Sequence, residues 1–283
     1  MAVPCLVALT KLIERQTTRD TMKAAELFDL SGHVAVVTGA ASGLGLAIAQ
    51  VIAANGGRVA MLDIDEGKLK QAAAAIDEAG GAVETFCVDI TEAGKVEAVV
   101  DAYVERYGRL DCVFANAGAS GGPGYGKPEG ELKAASMELW DACLRVNLDG
   151  AFRTIRVAAK HMKPRRQGSI VVTSSVAALR ASALPSYGYH AAKAGIAQVV
   201  RVAALELGPH NVRVNAIAPG PFRTNIGNGR MHTPEGAAAF ADTVPLGRLA
   251  ELDEIKGLAL LLASPASTYM TGAIIPIDGG TQA

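Results

Sequence analysis

Unbroken apolar runs alternate with stretches of helical spacing along this chain, and glycine-containing turns separate them. In HVAVVT (residues 33–38) and GSIVVTSS (168–175) apolar and β-branched residues follow one another without polar alternation. Neither face of such a strand meets water, so the pattern predicts parallel strands covered by helices on both sides. GLGLAIAQVIAA (43–54) is a helical stretch leading into a second apolar strand that ends at Asp63. DGAFRTIRVAAKHM (149–162) and AGIAQVVRVAALEL (194–207) also have helical spacing, apolar on more than one side. YMTGAIIPIDGG (269–280) reads as a last parallel strand and a glycine turn. Strands and helices in this order predict an α/β fold, a doubly wound parallel sheet whose ligands bind at the carboxyl ends of the strands.

A chain of 283 residues has room for two domains, but no Pro/Ser-rich linker or charge run divides it, so a single domain is expected. Half of the residues are hydrophobic, enough for a large core. The formal charge of −1 and the lack of a basic stripe give nucleic acid nothing to bind. Cys5, Cys87, Cys112 and Cys143 have no CxxC spacing. Cys87 and Cys112 lie in apolar runs and read as buried small hydrophobes in a reducing cytoplasm. The five histidines form no metal-binding pattern, and His190 fills a slot between Tyr189 and Lys193. The first twenty residues have neither a basic start nor a long apolar run, so an amphipathic surface arm is expected there, with no membrane association. Met22 is a second possible start.

Chemistry concentrates in two places. TGAASGLG, Thr38 to Gly45, joins an apolar strand to a helix, the arrangement of a nucleotide-binding βαβ unit. Gly39 permits the tight turn, Gly43 clears room for backbone to approach a pyrophosphate, and Gly45 lets helix and strand pack closely. No GK[ST] follows, which excludes a P-loop nucleoside triphosphatase. Asp63, at the end of the second strand, is placed to accept hydrogen bonds from both adenosine ribose hydroxyls and to repel a phosphate on that ribose, which favours NAD. Asp65 competes for the role. Downstream, Tyr189 and Lys193 are four apart on one helix and share a face. Making a phenol a base near neutrality takes about 4 kcal/mol, which a cation about 4 Å away can supply. Ser174 and Ser175 end the strand before them, where a serine hydroxyl meets a substrate oxygen.

TGxxxGxG at Thr38, Gly39, Gly43 and Gly45 followed by YxxxK at Tyr189 and Lys193 resembles the short-chain dehydrogenases/reductases, from about Leu30 to Gly280. The resemblance implies a Rossmann-type fold at residues 30–283 with an N-terminal extension at 1–29. It implies that Ser42, Leu44, Tyr189 and Lys193 also touch the cofactor, that Asp89 and Ile90 of CVDI hold the adenine, and that Asn116, Ala117 and Gly118 lie beside the ribose. In RVNLDG it makes Asn147 the residue that stabilises a helix kink and anchors a relay water near the lysine. In APGPFRT it puts Pro219, Gly220, Phe222 and Thr224 around the nicotinamide carboxamide and phosphates. The catalytic set it implies is Asn147, Ser175, Tyr189 and Lys193, although Ser175 lies one residue farther from the tyrosine than is usual, and Ser174 is the alternative. The activity it implies is hydride transfer between a secondary alcohol and NAD, in a homo-oligomer, tetramer or dimer.

The substrate is expected between ASGGPGYGKPEGELKAAS, which follows Gly118, and a lid at about 222–246. Asn225, Asn228, Arg230 and His232 on the lid, with Arg180, Ser182 and Tyr187 opposite, suit a polyol, sugar-like, cyclic or hydroxy-acid substrate, although solvation alone explains a polar loop. An NADPH-dependent reductase of 3-oxoacyl thioesters shares every catalytic residue, and a nucleotide-sensing protein without catalysis is a third class. The full catalytic set weighs against the third.

Overall fold

The computed structural model describes residues 23–226 and 229–283. Cys5, Met22, Asn228 and most of the expected extension at 1–29 lie outside the described residues. Seven strands form one sheet: β1 Val34–Thr38, β2 Arg58–Asp63, β3 Ala82–Cys87, β4 Cys112–Ala115, β5 Gly168–Thr173, β6 Val212–Pro219 and β7 Ile274–Ile277. All pairings are parallel, in the order β3-β2-β1-β4-β5-β6-β7. The larger helices are α1 Gly43–Ala54, α2 Glu66–Glu78, α3 Lys95–Tyr107, α4 Met137–Leu144, α5 Ala151–Arg165, α6 Tyr187–Leu207, α7 Pro234–Ala241 and α8 Lys256–Ala263. The fold is the single-domain α/β arrangement expected from the sequence.

The unbroken apolar runs have a direct cause. Along β1, Val34 and Val36 enter one core with Tyr103, Ile155, Met162 and Ile196, while Ala35 and Val37 enter a second with Ile48, Ile52, Leu69 and Leu262. One face packs on α3, α5 and α6 and the other on α1, α2 and α8. Each fully buried Val, Ile, Leu or Met side chain contributes about 1.5–3 kcal/mol, so a polar residue at any of these positions is costly. Cys87, expected in the core, is exposed: it ends the edge strand β3, where one side has no neighbouring strand, and its thiol donates to the Ile64 carbonyl. Cys112 and Cys143 are buried.

At the amino ends of the strands, Asp111 is buried and accepts from the Val34 amide (2.9 Å), Arg109 Nε (2.7 Å) and Nη2 (2.9 Å), and Arg165 Nη2 (3.5 Å). Burial pushes its pKa up, but the Arg109 and Val34 hydrogen bonds outweigh it and hold the carboxyl below its ordinary value. A depressed folded pKa means stability that is present above the unfolded value and lost as pH falls through the folded one. Asp111→Ala is expected to cost about 3 kcal/mol at pH 7. The gap from the unaltered protein should narrow below pH 4. Urea titrations at pH 7 and 3.5 check this, and equal midpoints at pH 7 would refute the clamp.

Candidate active site

β1 and β4 are adjacent, and the chain winds outward from them in opposite directions, so a crevice opens past their carboxyl ends. Thr38 pins this point. Its buried Oγ1 accepts from the amides of Asn116 (3.0 Å) and Ala117 (3.1 Å) and donates to the Phe114 carbonyl (3.4 Å). The Asn116 side chain bonds across the strands: Nδ2 donates to Thr38 O (3.0 Å), and Oδ1 accepts from Thr173 Oγ1 (2.9 Å). It braces β1, β4 and β5 together.

Above this brace the glycine loop makes a cradle. A Cβ on Gly39 would stand 2.8 Å from Ala117 Cα, and one on Gly45 would stand 2.0 Å from the Gly39 carbonyl oxygen. Both are held to glycine by close backbone approach. Gly43 differs, with φ +56° and no atom nearer to such a Cβ than Thr224 Cγ2 at 3.8 Å. The side chain of Ser42 makes no cap bond, so the first amides of α1 face outward with that hydroxyl beside them. Free amides at a helix start, next to a left-handed glycine, suit the phosphates of a dinucleotide.

Asp63 ends β2 at the rim of the cradle. Oδ2 accepts from the Ala41 amide and Oδ1 from the Asp65 amide, each at 3.0 Å, which turns the carboxylate toward the glycine loop. Asp65, its competitor, caps α2 through the Lys68 amide and pairs with the Lys68 ammonium at 2.7 Å. Asp89 is partly buried and accepts from the Thr91 amide. Ile90 is buried, with Cδ1 2.6 Å from where a Gly150 Cβ would stand, so its side chain belongs to the core. Phe222 is likewise in the core, and Ile64, next to Asp63, is an exposed apolar side chain that the sequence reading passed over.

The four catalytic candidates come together. Residues Arg145–Gly150 form a π-helical turn, the kink expected at RVNLDG. It carries the buried Asn147, whose Nδ2 donates to Ala119 O (2.8 Å) and Cys143 O (3.0 Å) and whose Oδ1 accepts from the Ala119 amide (3.3 Å). A Cβ on Gly118 would lie 2.9 Å from Asn147 Oδ1 and 3.5 Å from Lys193 Nζ, so glycine there keeps a gap between amide and ammonium. Ser175 caps the short turn Val176–Ala178, and its hydroxyl stands near enough to the Tyr189 phenol to oppose the rise in that group's pKa. Ser174 is buried and donates to the Lys193 carbonyl at 3.1 Å. Of the two serines, only Ser175 reaches the phenol.

Burial dominates the electrostatics of the site. Burial pushes the Tyr189 phenol up to about 12, with the Ser175 hydrogen bond opposing, and burial brings Lys193 down to about 8. Lys193 Nζ donates to Thr173 O at 2.9 Å and stands 5.5 Å from the centre of the tyrosine ring. The ammonium hydrogen-bonds a carbonyl beside the ring, and desolvation is the larger influence on the phenol. Thr173 binds both Lys193 and Asn116, a linking role signalled in the sequence only by a third hydroxyl in TSS.

From the far side, β6 ends at Pro219, and Gly220 passes so near β7 that a Cβ would lie 2.7 Å from Asp278 Cα. Thr224 reaches Gly43. No described residue of α7, within the expected lid, is buried. Phe222 at one end bridges Ala250, and the Leu246 amide at the other bonds Gly279 O. Arg180 donates to the Thr281 carbonyl and so turns toward the carboxyl-terminal segment. Tyr187 is partly exposed.

Known proteins share this architecture. A family model described as enoyl-(acyl carrier protein) reductase matches residues 39–282. The chain is 35% identical over 252 residues to the 3-oxoacyl-[acyl-carrier-protein] reductase FabG of Thermotoga maritima, covering 89% of this chain and 98% of the relative. It is 39% identical over 269 residues to cyclohexanol dehydrogenase of Rhodococcus sp. (strain TK6), covering 89% and 96%. The crystal structure of levodione reductase superposes with TM-score 0.83 at 32% identity, covering 89% of this chain and 98% of that one.

Proposed function

Since the chain belongs to the short-chain dehydrogenase/reductase family, nicotinamide-dependent enzymes acting on CH–OH groups, we propose that it is an NAD-preferring dehydrogenase of cyclic secondary alcohols. The observation that carries this reading is the placement of the Ser175 hydroxyl against the Tyr189 phenol, with the Lys193 ammonium 5.5 Å from the ring centre. The free amides of α1, Ser42, Asp63 and the passage between Gly43 and Thr224 fit a dinucleotide. When bound, the nicotinamide supplies or accepts the hydride. Ser175 fixes the substrate oxygen by hydrogen bond, and Tyr189 takes its proton during oxidation and returns it during reduction. Lys193 orients the cofactor ribose and keeps positive charge beside the phenol. Asn147, across the gap kept by Gly118, connects that ammonium toward solvent.

Two features favour a compact ring over a polyol. Arg180 is engaged with Thr281, and Leu179, Tyr187 and Leu246 near the mouth are exposed apolar groups. Relatives acting on cyclohexanol and levodione agree. For the cofactor, Asp63 puts negative charge where a ribose phosphate would sit, the nearby Lys68 is neutralised by Asp65, and Ile64 offers the adenine an apolar surface. Initial rates on cyclohexanol, a four-carbon polyol and a 3-hydroxyacyl thioester, each with NAD and NADP, test the proposal. Cyclohexanol with NAD should lead by at least tenfold in kcat/KM; a lead by the thioester with NADP would overturn it. Asp63→Asn should raise NADP use relative to NAD by about tenfold, worth about 1.4 kcal/mol.

The enzyme acts as a homo-oligomer in this reading. The groove between α5 and α6, lined by Phe152, Ile155, Val199 and Val202 and rimmed by Lys160 and Glu206, is apolar and self-complementary in charge. Phe152→Asp should convert dimers or tetramers to smaller species in sedimentation velocity; an unaltered protein that sediments as a monomer would refute it. Residues 30–283 make up the catalytic unit, with 222–246 as its lid. The free thiols of Cys87, Cys112 and Cys143 suit a reducing cytoplasm. Among the described residues no helix is long and apolar enough to cross a membrane.

A further inference from the structure

His190 has a second task beyond filling the slot between Tyr189 and Lys193. Its Nδ1 lies 3.0 Å from the Ser186 carbonyl, and its Nε2 lies 3.3 Å from the Ser182 amide nitrogen. A carbonyl only accepts and an amide only donates, so Nδ1 carries the proton and Nε2 accepts. Only this neutral tautomer satisfies both partners. The imidazole therefore ties the backbone of residue 182 to the first turn of α6.

The segment tied down joins the two groups that would hold the substrate oxygen. It leaves Ser175, passes through residues 179–186 and returns to Tyr189, whose phenol lies near the Ser175 hydroxyl. It also positions the opposite wall. The Gly126 amide donates to Ala183 O (3.2 Å), Pro123 bridges Pro185, and a Cβ on Gly124 would stand 2.2 Å from Ala183 O. Ser186 Oγ is used on the Tyr189 amide, and the imidazole supplies the hydrogen bond between residue 182 and α6.

We propose that His190 is a positioning residue that sets substrate selectivity, by clamping the loop at 179–186, and through it the wall at 123–126, at a fixed distance from the catalytic phenol. The proposal rests on the reading of Ser175 and Tyr189 as the groups that bind the substrate oxygen. Loss of the clamp widens the aperture without touching the proton path. A bulky ring then loses its fitted walls, while a small acyclic alcohol, which made few wall contacts, loses little.

The test compares the unaltered enzyme with His190→Ala, His190→Gln and His190→Asn. Glutamine can place an acceptor near the Nε2 position, whereas asparagine reaches only the Nδ1 position. Amide exchange across residues 179–186, read by mass spectrometry, needs no turnover; His190→Ala should accelerate it at least tenfold and His190→Gln should restore it. With NAD, His190→Ala should raise KM for cyclohexanol about tenfold, leave kcat within threefold, and change KM for 2-butanol by less than threefold. Retention of NADH affinity, by fluorescence titration, would show an intact cradle. Unchanged exchange in His190→Ala, rescue by asparagine equal to that by glutamine, or parallel losses on both alcohols would each overturn the clamp. An unaltered enzyme that oxidises no alcohol would sink the proposed function instead, and the exchange data would then decide the clamp alone.

Discussion

Tyr189→Phe is expected to lower kcat for alcohol oxidation by roughly a thousandfold while NADH still binds, the scale of a positioned acid–base group. The phenol oxygen lies near the Ser175 hydroxyl and carries a transferable proton close to Lys193. Phenylalanine keeps the ring and its packing, so stability should barely change. The pH profile gives a sharper readout. Burial pushes this phenol up to about 12, so the base is scarce at neutral pH and the oxidation rate of the unaltered enzyme should climb from pH 7 to 10. Reduction, which needs the protonated phenol, should lack that rise. In the phenylalanine variant the residual oxidation should lose the alkaline climb. A variant within tenfold of the unaltered enzyme, or one whose NADH affinity falls with its turnover, would remove Tyr189 from the proton path. Tyr187→Phe makes the matching control, since that phenol is six residues from Lys193 and partly exposed.

Gly45→Ala should have the largest effect of any single methyl added to the cradle. The new Cβ would lie 2.0 Å from the Gly39 carbonyl oxygen and 2.5 Å from Asn116 Nδ2. Neither can yield cheaply: one is backbone in a left-handed turn, and the other is held by Thr38 and Thr173. Overpacking of this kind costs about 3 kcal/mol when backbone must move. The displaced loop would carry its amides away from the phosphates, so the NADH Kd should rise at least about thirtyfold and Tm should fall by several degrees. Gly43→Ala separates crowding from conformation. Its Cβ meets nothing nearer than 3.8 Å, so its cost is the left-handed φ of +56°, about 1 kcal/mol. Equal losses in the two variants, in Kd or in Tm, would rule out close packing as the reason for Gly45.

Much of the molecule is legible from residue order because the relevant forces are local or periodic. β1 must bury Val34 and Val36 on one side and Ala35 and Val37 on the other, so an unbroken apolar run implies helices on both faces. Gly39 and Gly45 stand where backbone approaches backbone, and the motif spacing marks that approach before any coordinates. Tyr189 and Lys193 share a helix, so their proximity follows from the helical repeat alone. The kink that the family resemblance implied at RVNLDG is a π turn.

What residue order left open concerns partners that are distant along the chain. Residue order prefers Ser175 with Ser174 as the alternative, and the strand end turns the Ser174 hydroxyl to the Lys193 carbonyl and the Ser175 hydroxyl toward the phenol. Asp65 could have replaced Asp63, but it caps its own helix. The Asn116 and Ile90 side chains take distant partners, one bracing strands and the other packing against Gly150. Cys87 read as core because its neighbours are apolar, yet membership of an edge strand depends on which strands pair, and that left it exposed.

The amino-acid sequence by itself determined the doubly wound sheet, the glycine cradle and the Tyr189–Lys193 pair, because each follows from side-chain periodicity or steric demands within a few residues. Only the tertiary structure decided which serine faces the phenol, that the Lys193 ammonium hydrogen-bonds Thr173 O, and that His190 accepts from the Ser182 amide. Those outcomes turn on hydrogen-bond direction and desolvation between segments brought together by the sheet, and linear order encodes neither.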